Sequence, residues 1–253
     1  MPYVLVSVSE RVATITLNDP ARRNAINLVL NDELIAAIDE IESRDDVGAI
    51  VLTGAPPAFC AGADLEDLKN SRHRESLGKI YAGFLRLAHT SLPTVAAVNG
   101  AAVGAGMNMA LACDVILAAR SARFDTRFMQ IGIHPGGGHT WRLRRITDHQ
   151  TVMAMVLFGE AVDGERAAEI GLAWRCIDDA DLLAAATSLA ARAATFPREL
   201  TSRTKATIQQ LQGLDTSEAA VAHELDPQAW SMDQPPFMEL VTKLQQQISR
   251  DKN

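Results

Sequence analysis

The stretch 95–114, VAAVNGAAVGAGMNMALACD, restricts this chain more than any other, because it runs uncharged to its last residue yet carries a turn in its middle. Residues 95–98, behind Pro93, have the apolar pattern of a buried strand. Asn99 and Gly100 break that run, Gly104 and Gly106 permit a tight turn, and 107–113 has the Met, Ala and Leu content of a helix. The first N–H groups of a helix have no intrahelical acceptor. Strand, glycine turn and helix start therefore make a place to hold negative charge developing on an oxygen.

The same run is long enough to span a bilayer and contains a GxxxG spacing from Gly100 to Gly104. Asn99, Asn108, the three glycines and a single leucine, Leu111, argue against a membrane span. A formal net charge of −7 over 253 residues, with Arg142, Arg144 and Arg145 as the densest basic patch, offers no footprint for nucleic acid. Cys60, Cys113 and Cys176 are an odd number at no metal-like spacing, in apolar contexts, which fits reduced thiols in the cytoplasm. The first residues show no basic segment leading into an apolar one, so no secretory leader is expected.

Residues 4–8 and 12–17 alternate and are rich in β-branched side chains, which predicts a hairpin ended by Asn18, Asp19 and Pro20. Asn27 is placed to cap a helix over 28–43, where Leu30, Leu34, Ile38 and Ile41 recur at helical spacing. A buried strand is expected at 49–54, a loop of prolines and small residues at 55–65, an amphipathic helix at 81–88 and another strand at 115–119. Strand, loop and helix recur at similar spacing, which suggests repeating ββα units. Past residue 181 the pattern is helical, with candidates at 182–194, 199–211, 217–229 and 237–248. Their large apolar faces suggest self-association. Trp141, Trp174 and Trp230 are expected to pack.

Three stretches occur in one order: FCAGADL at 59–65, AAVNGAAVGAGMNMALACD at 96–114 and IGIHPGGGHTWRL at 131–143. With LNDPARRNAIN at 17–27 and AAEIGLAWRCI at 167–177, they resemble the crotonase superfamily, the enoyl-CoA hydratase and isomerase family. The resemblance implies an α/β fold, with a crotonase-like spiral of ββα units over 1–180 carrying an acyl-CoA site and a C-terminal α-helical trimerisation region over 181–253. It implies acyl-CoA or enoyl-CoA thioesters as ligands, with coenzyme A part of the substrate rather than a cofactor, and no metal. A homotrimer or dimer of trimers in cytoplasmic fatty-acid or related acyl-CoA metabolism is the matching expectation. Carried over position by position, the family's two oxyanion-hole N–H groups fall on Ala63 and Ala105. Arg22 and Arg23, with Ala61 and Leu65, match places that meet the CoA moiety.

Hydratases of the family carry two glutamates, at positions that here hold Asn108 and Phe128. Adding water across a double bond needs one group to take a proton from water and another to deliver one to carbon. An amide does not exchange protons usefully near neutral pH, and a phenyl ring cannot. His134 and His139 flank the glycine run and titrate in the useful range, and Asp125 is the nearest carboxylate in sequence, so these are the candidate substitutes. Each also has a structural reading, as a loop histidine bonded to backbone or, for Asp125, as a cap or the partner of Arg127. Asp64, beside Ala63, reads as loop support rather than as a base. The nucleophilic aspartate of the superfamily's dehalogenases aligns with Gly136, and no serine lies in the glycine turn, so neither dehalogenation nor serine-type hydrolysis is expected. Two readings remain, a thioester-enolate enzyme with a non-standard acid or base and a catalytically inactive acyl-CoA-binding protein of the same fold.

Overall fold

The computed structural model describes residues 1–71, 73–211 and 213–250. Alternating side chains form the expected hairpin, with β1 (Val4–Ser9) antiparallel to β2 (Val12–Leu17). Its turn residues, Glu10 and Arg11, both have positive φ, the geometry whose twist matches that of the two strands. The first helix, α1 (Leu28–Ser43), starts where Asn27 Oδ1 accepts the Leu30 N–H, and it buries Leu30, Leu34, Ile38 and Ile41. It returns the chain to β3 (Ala49–Gly54), which lies parallel to β2.

From there each unit places one strand in a large sheet and the next in a small one. After β3 come β4 (Ala58–Cys60), α2 (Leu65–Asn70) and α3 (Arg74–Ala88). The second unit is β5 (Thr94–Val98), β6 (Ala101–Val103) and α4 (Ala105–Leu111). The third is β7 (Val115–Ala119), β8 (Arg123–Asp125), α5 (His139–Ile146) and α6 (His149–Leu157). A shorter passage, β9 (Val162–Asp163), α7 (Gly164–Glu169), β10 (Arg175–Ile177) and α8 (Leu182–Ala194), completes a compact unit, Met1–Ala194. A second unit starts at Thr195 and holds α9 (Arg198–Leu211), α10 (Ser217–Met232) and α11 (Pro235–Arg250). The large sheet runs in the order β1-β2-β3-β5-β7-β10 and the small one β4-β6-β8-β9. Within the small sheet β4, β6 and β8 are parallel. Among the described residues no helix is long and apolar enough to cross a membrane.

The alternation of strands between two sheets is the ββα spiral expected from the sequence. Of its second strands, β4 and β6 were read there as loop and turn, and β8 was not singled out. Each has three residues, too few to display a period of two, and each sits among turn-forming residues. α4 begins at Ala105 rather than at 107, with Gly106 inside its first turn. The helix expected at 182–194 forms as α8. α8 packs on β2, β3, β5 and β7 with Ala186, Ala190 and Ala194 in the core, so it belongs to the first unit. Residues 251–253 of the C-terminal helical region lie outside the described residues. Trp141 and Trp174 are more than half exposed rather than packed, and Trp230 lies 4.0 Å from the Arg203 guanidinium.

Candidate active site

The strands β4, β6 and β8 end side by side, and the chain just past each end supplies Ala63, Ala105 and Phe128 in turn. Loops beyond the carboxyl ends of parallel strands are where such folds gather ligands. The first loop is shaped by Asn24, buried and left-handed, whose Nδ2 donates to the carbonyls of Ala55 and Ala58 at 2.8 Å. Beside it the Ile26 N–H donates to Gly62 O at 2.7 Å, and the Asp64 N–H to Ile26 O at 2.8 Å. The residue between those two bonds, Ala63, turns its own N–H the opposite way.

Gly62, at φ +106, lies where the first loop approaches the second. A Cβ there would come within 2.9 Å of Val103 O and 4.0 Å of the Ala105 nitrogen, so the two turns are close neighbours. Ala105 opens α4, where its N–H has no intrahelical acceptor. Among the described residues neither the Ala63 nor the Ala105 N–H has a protein acceptor. Ala105 is not at positive φ, so its Cβ is accommodated without strain.

One helical turn beyond Ala105 stands Asn108, 1% exposed. Its Nδ2 donates to Gly136 O at 3.0 Å, which turns Oδ1 toward His139 Nδ1 at 2.8 Å. An amide oxygen only accepts, so His139 carries its proton on Nδ1 and presents Nε2 as a lone pair. That Nε2 is buried without a hydrogen-bond partner. The Phe128 ring meets the imidazole edge-on, with centroids 4.9 Å apart. His139 thus touches both Asn108 and Phe128. Burial, and then the charge of Arg142, pushes its pKa down to about 4, so the ring is neutral at pH 7.

The other candidates are engaged elsewhere. His134 is exposed, its Nδ1 2.7 Å from Pro135 O. Asp125 is buried in an ion pair with Arg127 at 2.5 Å, which takes the partnered of its two readings. Asp64 accepts from the N–H groups of Glu66 and Asp67 and caps α2, as loop support should. Arg22 is held by Asp19 at 2.7 Å and by the Tyr3 hydroxyl, while Arg23 and Leu65 are exposed and the Ala61 N–H donates to Arg23 O. Sequence reasoning passed over Tyr81 and Phe84 of α3, which close over Gly136 and Gly137, and Arg142, whose Nη1 donates to Gly137 O at 2.7 Å. Their signal was two aromatic residues one turn apart on an amphipathic helix facing a glycine run.

Residues 7–234 match the family model described as enoyl-CoA hydratase/isomerase. The chain is 46% identical over 242 residues, 92% of its length and 94% of the relative's, to a probable enoyl-CoA hydratase, EchA14, of Mycobacterium tuberculosis. It is 37% identical over 204 residues, 78% of each chain, to the 1,2-epoxyphenylacetyl-CoA isomerase of Escherichia coli. The crystal structure of an enoyl-CoA hydratase from Bacillus anthracis superposes with a TM-score of 0.91 at 25% identity, covering 97% of this chain and 96% of that one. The motifs, the two-sheet spiral and these matches agree: this chain belongs to the enoyl-CoA hydratase/isomerase family of the crotonase superfamily.

Proposed function

We propose that the protein binds acyl-CoA or enoyl-CoA thioesters and stabilises their enolate with the main-chain N–H groups of Ala63 and Ala105. The observation that carries this reading is the pair of neighbouring N–H donors without a protein acceptor at the ends of β4 and β6. Two such donors aimed at one oxygen favour its anionic form, each by about 3 kcal/mol. The exposed Arg23, beside the Ala61 turn, is then the better placed of the two arginines for CoA phosphates, since Arg22 is already paired. Exposed Val221, Leu225, Leu240, Leu244 and Ile248 on α10 and α11 favour self-association, as a trimer or dimer of trimers.

Ala105→Pro is the direct test. Proline is tolerated at the first position of a helix, yet it removes the one N–H in question. Acetoacetyl-CoA, whose enolate absorbs in the near ultraviolet, should bind the wild type as the enolate and Ala105→Ser likewise. Ala105→Pro, with its circular dichroism unchanged, should lose that signal. Enolate binding untouched by the proline would overturn the assignment. Enolate binding without turnover of any enoyl thioester would instead favour the inactive acyl-CoA-binding protein.

A further inference from the structure

We infer that His139 Nε2 is the single proton carrier of this site, held by Asn108, and that the reaction it serves is a double-bond shift within a 3-enoyl thioester rather than addition of water. The inference rests on the thioester-enolate reading above. It is carried by three contacts: Asn108 Oδ1 on Nδ1, Asn108 Nδ2 on Gly136 O, and Phe128 edge-on to the ring. A histidine kept for packing gains nothing from a buried, unpartnered Nε2, which costs stability until something donates to it. Asn108, which holds the ring, stands one helical turn past Ala105.

The groups around His139 leave it alone in the work. Its own helix supplies Arg142, a cation, and α4 supplies no charge at all. The β8 end supplies Phe128 and an Asp125 already paired with Arg127, and α3 supplies Tyr81 across Gly136. Hydration needs a second proton-handling group to activate water, and an apolar ring stands at that position. A double-bond shift needs one. Nε2 takes a proton from C2 of the 3-enoyl thioester, and the electron pair of that C–H bond moves onto the thioester oxygen. The pair then returns through the conjugated system, C4 takes the proton from Nε2, and the double bond moves from C3–C4 to C2–C3. No atom is gained or lost and no oxidant is needed.

The experiment supplies 3-hexenoyl-CoA dideuterated at C2, and in parallel 2-hexenoyl-CoA, to wild type, His139→Gln and His139→Gly. Wild type should give the 2-enoyl thioester with part of the deuterium carried to C4. His139→Gln should lose at least about a hundredfold in kcat while binding hexanoyl-CoA as before. His139→Gly, which removes the side chain altogether, should regain turnover with added imidazole. Full isomerisation by His139→Gln would overturn the inference, as would faster hydration of 2-hexenoyl-CoA than isomerisation by wild type; both leave the enolate reading standing. Failure of wild type to bind hexanoyl-CoA would remove the enolate reading and this inference with it.

Discussion

Gly106 packs its Cα against the main chain of Cys60, so closely that a methyl group there would lie 2.8 Å from the Cys60 carbonyl carbon and nearer still to its oxygen. This contact seats the first turn of α4 on β4 and brings the Ala105 N–H beside the Ala63 loop. The second residue of that helix must therefore be glycine, while the first is free to be alanine.

Gly106→Ala should accordingly cost about 1–3 kcal/mol, the usual penalty for overpacking a rigid contact. Gly78 offers the matched control. It lies in α3 with nothing within 4 Å of a Cβ, so Gly78→Ala should stabilise by about 0.5–1 kcal/mol. Urea midpoints of the two variants check both signs. Equal effects would mean that the Cys60 contact is not a constraint.

Asp64 separates a cap from a base. Asparagine caps a helix about as well as aspartate, whereas alanine loses about 1 kcal/mol. Asp64→Asn should keep both stability and turnover, and Asp64→Ala should lower the thermal midpoint with turnover reduced only in proportion to folded protein. Abolished turnover in Asp64→Asn would make the carboxylate a chemical participant.

Removal of the Asn24 amide should be more damaging than its distance from the two N–H donors suggests. Asn24→Ala strands the carbonyls of Ala55 and Ala58 without their donor and leaves alanine at φ +57. A loss of about 3 kcal/mol is expected, with weakened thioester binding because the Ala63 loop loses its anchor. Denaturation and calorimetry on the same preparation test the pair of effects.

Acid should act in two windows. The His139 pKa is lowered to about 4 in the fold, by burial and then by Arg142. Its contribution is complete above the unfolded value near 6.5 and lost as pH falls through the folded one, a change of about 3 kcal/mol. Burial pushes Glu42 up, but hydrogen bonds from the Ser91 N–H, Arg86, Thr90 and Ser91 hydroxyls outweigh it and hold the pKa at about 2. Its contribution is therefore present above the usual carboxylate range and lost as pH falls toward 2. Stability measured from pH 7 to 4.5 should fall in wild type and stay nearly flat in His139→Gln. A parallel fall in both would place the titrating group elsewhere.

What the sequence showed and what it hid follow from the range of the interactions involved. The hairpin, α1 and the C-terminal helices declare themselves by a period running along the chain, and β3, β5 and β7 by an unbroken apolar run. β4, β6 and β8 exist because each pairs with a strand distant in sequence, and three residues carry no period. At the site, the run HPGGGH pointed to two histidines without ranking them. Only the folded chain brings Asn108, 31 positions away, against His139 and leaves His134 in solvent.

The ends of β4, β6 and β8 also divide labour between two kinds of atom. On the proposed reading the anion is met by peptide nitrogens, which every residue but proline provides, so no point mutation of a side chain need erase that half of the machinery. Proton handling is left to side chains on the neighbouring elements, which are free to change one at a time. If that reading holds, a lineage built this way can exchange one reaction for another while its grip on the thioester oxygen is inherited intact, and the asparagine, phenylalanine and histidine at this site would be one such exchange.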